Sequence, residues 1–130
     1  MKYLCLCYYD TDAFANLSAE DAAAIGPACR PHDQALRATG KVVLQGSLCL
    51  PQDWVHFHPH NGQPVRAEGP LLPGPRQAGA FFVVEAGSKE EAETVACLHA
   101  AARFGEHLGF AVEVRACETF EASGFPAGGR

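Results

Sequence analysis

The chain has 130 residues, 48% hydrophobic and 19% charged, a balance that fills one core and argues against global disorder. Ten Lys and Arg against 15 Asp and Glu leave a net charge of −5 with no basic run, which argues against nucleic acid as a partner. No apolar stretch reaches the roughly 20 residues of a membrane helix, and the short apolar run before Asp10 is too small for a signal peptide.

Lys2 to Tyr9 reads as a strand apolar on both faces, with Leu4, Leu6 and Tyr8 on one side and Tyr3, Cys5, Cys7 and Tyr9 on the other. Asp10 to Leu17 reads as a loop. Ser18 with Asp21 opens a helix from Ala19 to Thr39, ended by Gly40, with a kink or restart expected at Pro27 and Pro31. Lys41 to Leu50 is a second strand, with a bulge expected at Gly46. Trp54 to His58 and Pro64 to Ala67 form the arms of a hairpin turning at Asn61-Gly62. Nine of the 21 residues from Pro59 to Gly79 are Gly or Pro, the composition of an irregular, ordered loop. Ala80 to Ala86 is a strand, Ser88 with Glu91 caps a helix from Lys89 to about Phe104, and Phe110 to Glu118 is the last strand. The domain occupies 1–121, and 122–130 is a flexible Gly- and Pro-rich tail.

The order β-α-β-hairpin-β-α-β is the split βαβ, ferredoxin-like α+β pattern, with two helices on one face of an antiparallel sheet. A first strand apolar on both sides then leaves one face uncovered, and a second copy of the chain is the simplest cover, giving a homodimer. The six cysteines, with no Cys-x-x-Cys pair, fit a reducing, cytoplasmic setting.

His32 continues the inward stripe of Ile25, Cys29, Leu36 and Thr39, so its imidazole points at the sheet, either as a proton-transfer group or as a satisfied core histidine. His99 stands in the same relation to Ala92, Val95 and Ala102. The His56, His58 and His60 alternation puts three imidazoles on one strand face, which is either a metal set or a solvated hairpin arm. Glu68, held between Gly and Pro neighbours, is a positioned carboxylate or a turn residue. Glu113 and Arg115 share a strand face as an ion pair or as an anion anchor. Trp54 and Phe81 offer apolar wall.

Several of these segments together resemble the YCII-related family, in the subgroup named for an Asp-Gly-Pro-Phe signature. They are Met1-Lys2-Tyr3-Leu4, Ala35-Leu36-Arg37-Ala38-Thr39-Gly40, Glu68-Gly69-Pro70-Leu71, Gly79 before Phe81-Phe82, and Glu113-Val114-Arg115. Glu68 and Leu71 replace the outer residues of the signature, and Ala100 and Ala116 stand where proline is usual. The resemblance implies a dimeric α+β barrel, two protomers packed sheet to sheet. It also implies an acid–base role for His32, without the Asp that some relatives carry after the second helix. A few relatives, and related dimeric barrels, isomerise, oxygenate or dehalogenate small ring compounds.

The resulting expectation is a cofactor-free enzyme acting on a small carbonyl or phenolic compound. His32 shuttles a proton, Glu68 or Glu113 is the partner carboxylate, and Arg115, His99, Trp54 and Phe81 contact the ligand. A non-catalytic ligand-binding module and a metal site at His56, His58 and His60 are the alternatives.

Overall fold

Strand β1 (Lys2–Asp10) buries Tyr3, Cys5, Cys7 and Tyr9 and leaves Leu4, Leu6 and Tyr8 half-buried, the period of two of a strand with one face fully covered. The computed structural model describes residues 1–122, so the expected tail, Ala122 apart, lies outside the described residues. After β1 come a five-residue helix α1 (Thr11–Ala15), the long helix α2 (Ala19–Ala38) and strand β2 (Val42–Ser47). A hairpin of β3 (Val55–His60) and β4 (Gln63–Glu68) follows, then β5 (Arg76–Glu85), α3 (Lys89–Ala96) and β6 (Ala111–Ala116).

Four strands form one sheet in the order β2-β5-β1-β6, every neighbouring pair antiparallel, while β3 and β4 make a separate two-stranded sheet. This is the ferredoxin-like α+β arrangement expected from the element order. Cross-strand partners share a face, so the register defines two layers. Tyr3, Cys5 and Cys7 lie with Val84, Phe82, Ala80, Val114 and Val112 on the covered face. Leu4 and Leu6 lie with Val83, Phe81, Arg115 and Glu113 on the other. Phe82, Val84, Leu36 and Cys5 are essentially without solvent exposure, and burying each large apolar side chain contributes about 1.5–3 kcal/mol.

Both expected caps form. Ser18 Oγ accepts from the Asp21 N–H at 3.0 Å and Ser88 Oγ from the Glu91 N–H at 3.1 Å. The hairpin turns at Asn61 and Gly62, both at positive φ, as a two-residue loop with primed-turn twist requires.

Four local features differ from the sequence reading. The segment after β1 is a short helix because Asp10 accepts from the Ala13 N–H at 2.9 Å and nucleates a turn. Helix α2 runs unbroken past Pro27 and Pro31. Both prolines are exposed and one turn apart, so the carbonyls they leave without helix partners, at Ala23 and Pro27, open to water. The irregularity in β2 falls at Val43, between the Val42–Val84 and Leu44–Val83 pairs, and Gly46 instead makes room for the Phe81 ring: a Cβ there would lie 2.8 Å from Phe81 Cζ. Helix α3 stops at Ala96 rather than near Phe104, because His99 is extended (φ −66°, ψ 144°) and its own ring accepts the Ala101 N–H to start a 3-10 turn over Ala100–Ala102.

Candidate functional site

Helix α2 buries one residue in twenty, Leu36 in its last turns. Its first half is rich in alanine and carries Gly26, where a Cβ would meet nothing within 4 Å. Small side chains over a twisted sheet leave space, and a cavity of about 750 Å³ lies between α2 and the covered sheet face. Its floor is Cys7 and Tyr9 of β1 with Gln45 and Ser47 of β2, its roof includes Cys29 and Asp33 of α2, and Phe14 and Phe110 add aromatic wall. The 3-10 turn contributes His99, Ala100 and Ala101.

His99 is the most tightly specified polar side chain there. Its ring lies parallel to Phe82, with centroids 5.1 Å apart and planes 8° apart. Its Nδ1 accepts from the Ala101 N–H at 2.9 Å. Burial lowers its pKa below the ordinary 6.5; the Asp33 carboxylate opposes this and the His32 ring adds to it. The Cys7 sulfur lies 3.6 Å from Nε2 and 3.8 Å from Nδ1. A sulfur in line with one ring N–H would be well over 1 Å farther from the other nitrogen, so the thiol rests against the ring and does not form a reactive thiolate–imidazolium pair. Burial, with Cys5 adding, pushes the Cys7 thiol up to about 12. Asp33 pairs with Arg37 Nη2 at 2.8 Å, and Arg30, also on the cavity wall, makes no ion pair among the described residues.

The family model of the YCII-related domain matches residues 1–116. The chain belongs to the YCII-related family. No curated protein matches it.

Within this YCII-related domain the expected site residues fall into three places. His99 is in the cavity wall. His32 is half-buried beside it, stacked on Phe104 with centroids 5.7 Å apart, and its charge acts on His99, but it does not line the cavity itself. Phe81 borders the cavity from β5 while its ring crosses Gly46 on the far face.

Glu113 and Arg115 lie on that far face, where Arg115 Nη2 is 2.8 Å and the Tyr8 hydroxyl 2.9 Å from Glu113 Oε1. These hydrogen bonds hold the Glu113 carboxyl below its usual range and the Arg115 guanidinium above its own. The sheet therefore separates this pair from His32 and His99.

Glu68 and Trp54 belong to the hairpin region. Glu68 is 80% exposed and 3.5 Å from Arg66 Nη1, and the Trp54 indole donates to the Cys49 carbonyl at 2.8 Å. His56 spends Nδ1–H on the Gly69 carbonyl at 2.8 Å and packs edge-on against His58. No three His, Cys, Asp or Glu side chains among the described residues are arranged to hold a metal, so the metal reading of His56, His58 and His60 is not favoured. No helix among them is long and apolar enough to cross a membrane.

Cys7, Tyr9, Asp33 and Gln45 were not singled out from sequence. Asp33 had a usable signal: it stands four residues beyond Cys29 and eight beyond Ile25, one helical face. The polar Gln45 and Ser47 had none, because the Val43 bulge decides which face they take.

Proposed function

We propose that this YCII-related protein is a cofactor-free enzyme that moves a proton on a small carbonyl or phenolic compound held under α2. The observation that carries the reading is the His99 imidazole, kept in its neutral form by burial at the wall of a 750 Å³ cavity, with Asp33 in the same wall. In this reading Asp33 takes the proton from carbon, His99 faces the ligand oxygen, and His32 tunes His99 through its charge. A neutral imidazole and a carboxylate on one cavity wall supply the donor and the acceptor that acid–base work requires.

The far sheet face supports a second copy as its cover. Leu4, Leu6 and Phe81, each half-buried, form an apolar patch beside Leu44, which is 39% exposed. Sheet-to-sheet pairing would make the dimeric α+β barrel and bury the Tyr8–Glu113–Arg115 group near its edge. Leu6→Glu in the full chain should convert the dimer to monomer in analytical ultracentrifugation. A wild-type chain that sediments as a monomer at all concentrations ends the dimer proposal. The free state of all six cysteines supports a reducing, cytoplasmic setting.

The enzyme reading is tested by thermal-shift screening of small carboxylates and phenols, followed by NMR in D₂O on the compounds that stabilise the protein. Ligand C–H exchange catalysed by wild type and lost in Asp33→Asn is the expected result. Stabilising ligands that never exchange would make the domain a binding module instead.

A further inference from the structure

Resting on the reading of the cavity as a ligand site, we propose that His99 offers that site a fixed N–H donor, not a lone pair, and that the ligand it takes is an oxygen anion of the phenolate or enolate type. The Ala101 N–H has its hydrogen directed at His99 Nδ1, so Nδ1 carries the lone pair. A neutral imidazole has one N–H, and it is therefore on Nε2. A protonated ring would have a hydrogen on both nitrogens and could not accept from Ala101, so the turn itself selects the neutral form. The groups facing the ring agree. Phe82 stacks on it, the Cys7 thiol is neutral at ordinary pH, and Asp33 and His32 act at longer range from α2.

The Cys7 sulfur, nearly equidistant from both ring nitrogens, is off the Nε2–H axis, and no other side chain or carbonyl among the described residues pairs with Nε2. A half-buried N–H with a poor partner in a polar-floored cavity is matched by a strong acceptor. A charged oxygen is the strongest, and a flat one fits the wall of Phe14 and Phe110, whose centroids are 6.0 Å apart. Arg30 in the same wall adds a positive charge that favours the anion. A neutral donor is also better suited than a cation to an oxyanion that must later be released, because it stabilises the charge without giving up its proton.

Two variants separate the nitrogens. An asparagine at 99 places its side-chain oxygen where Nδ1 sits, keeping the Ala101 partner and losing the Nε2 donor, whereas a glutamine reaches the Nε2 position with an N–H. The probe is p-nitrophenol, whose anion is read by its visible absorbance. On wild-type protein the bound probe ionises at lower pH than on His99→Asn. His99→Asn binds the anion about ten- to a hundredfold more weakly, the range lost with one hydrogen bond to a charged group, and His99→Gln restores most of it. Imidazole ¹⁵N shifts of the ligand-free protein at pH 7 report Nε2–H. An Nδ1–H or doubly protonated ring, or equal anion binding by wild type and His99→Asn, overturns the proposal while leaving the cavity reading intact. Failure of both p-nitrophenol and its uncharged analogue p-nitrotoluene to bind wild type would remove the cavity reading as well.

Discussion

Gly79 lies directly against the ring of Tyr9: a Cβ built on it would stand 2.7 Å from both Tyr9 Cδ1 and Cε1. Gly79 is also the extra residue of β5, opposite the step where Cys7 pairs with Ala80 and Tyr8 with Ala78. The bulge and the missing side chain together let Tyr9 lie flat under the cavity. Gly79→Ala should therefore destabilise by about 1–3 kcal/mol, as overpacking does, seen as a lower urea midpoint. Gly26→Ala in α2, with open space around its Cβ, should instead stabilise by about 0.5–1 kcal/mol, the helix cost of glycine. Equal effects of the two would deny the Tyr9 contact any weight.

Leu36 fastens α2 to the sheet almost alone. It is fully buried, and the rest of the helix is exposed or half-exposed. Leu36→Ala is expected to cost about 2–5 kcal/mol, and the loss should be local as well as global. Hydrogen exchange should accelerate first in the amides of α2 and much less in β1 and β5. Uniform acceleration across helix and sheet would show that α2 and the sheet open as one unit.

Acid should weaken the fold through His99. Its folded pKa is below the unfolded value, so between the two the unfolded chain binds more protons. The contribution is complete above about pH 6.5, the unfolded imidazole range, and is lost as pH falls through the folded pKa. Protonation also removes the acceptor that holds the Ala101 N–H. Chemical denaturation of wild type and His99→Asn at pH 7.5 and pH 5 should show a smaller drop for the variant, since its amide does not titrate. Parallel pH profiles would mean that His99 protonates without cost.

The strands, both caps, the Asn61-Gly62 turn and the ferredoxin-like order were legible because each rests on local chemistry or on a period of two. Leu4 and Leu6 on one face and Cys5 and Cys7 on the other follow from alternation alone. The His99 segment was not legible, because an inward helical stripe and a ring-capped 3-10 turn share the same residue types. What separates them is one hydrogen bond from Ala101. The cavity was likewise hidden, since it comes from what α2 lacks over β2 and β5, and a sequence pattern records which side chains face inward but not whether they fill the space. Glu113 and Arg115 were correctly paired with each other through strand alternation, yet only the register shows that the sheet stands between them and His32.

The cysteines should divide sharply by reactivity. Burial raises the Cys5 thiol to about 11, with Cys117 adding, and Cys7 to about 12, so neither forms appreciable thiolate at neutral pH. Cys29 is also raised by burial and by Asp33, while Cys49 and Cys97 are exposed. Limited iodoacetamide labelling of the native protein, read by peptide mass spectrometry, should modify Cys49 and Cys97 first and the buried Cys5 and Cys7 last. Because Cys7 and Cys29 line the cavity and Cys49 and Cys97 do not, an occupant that fills the space should slow Cys29 labelling further and leave the exposed pair unchanged. Early alkylation of Cys7 would mean that the thiol against His99 is activated after all, and the arrangement would have to be read as nucleophilic.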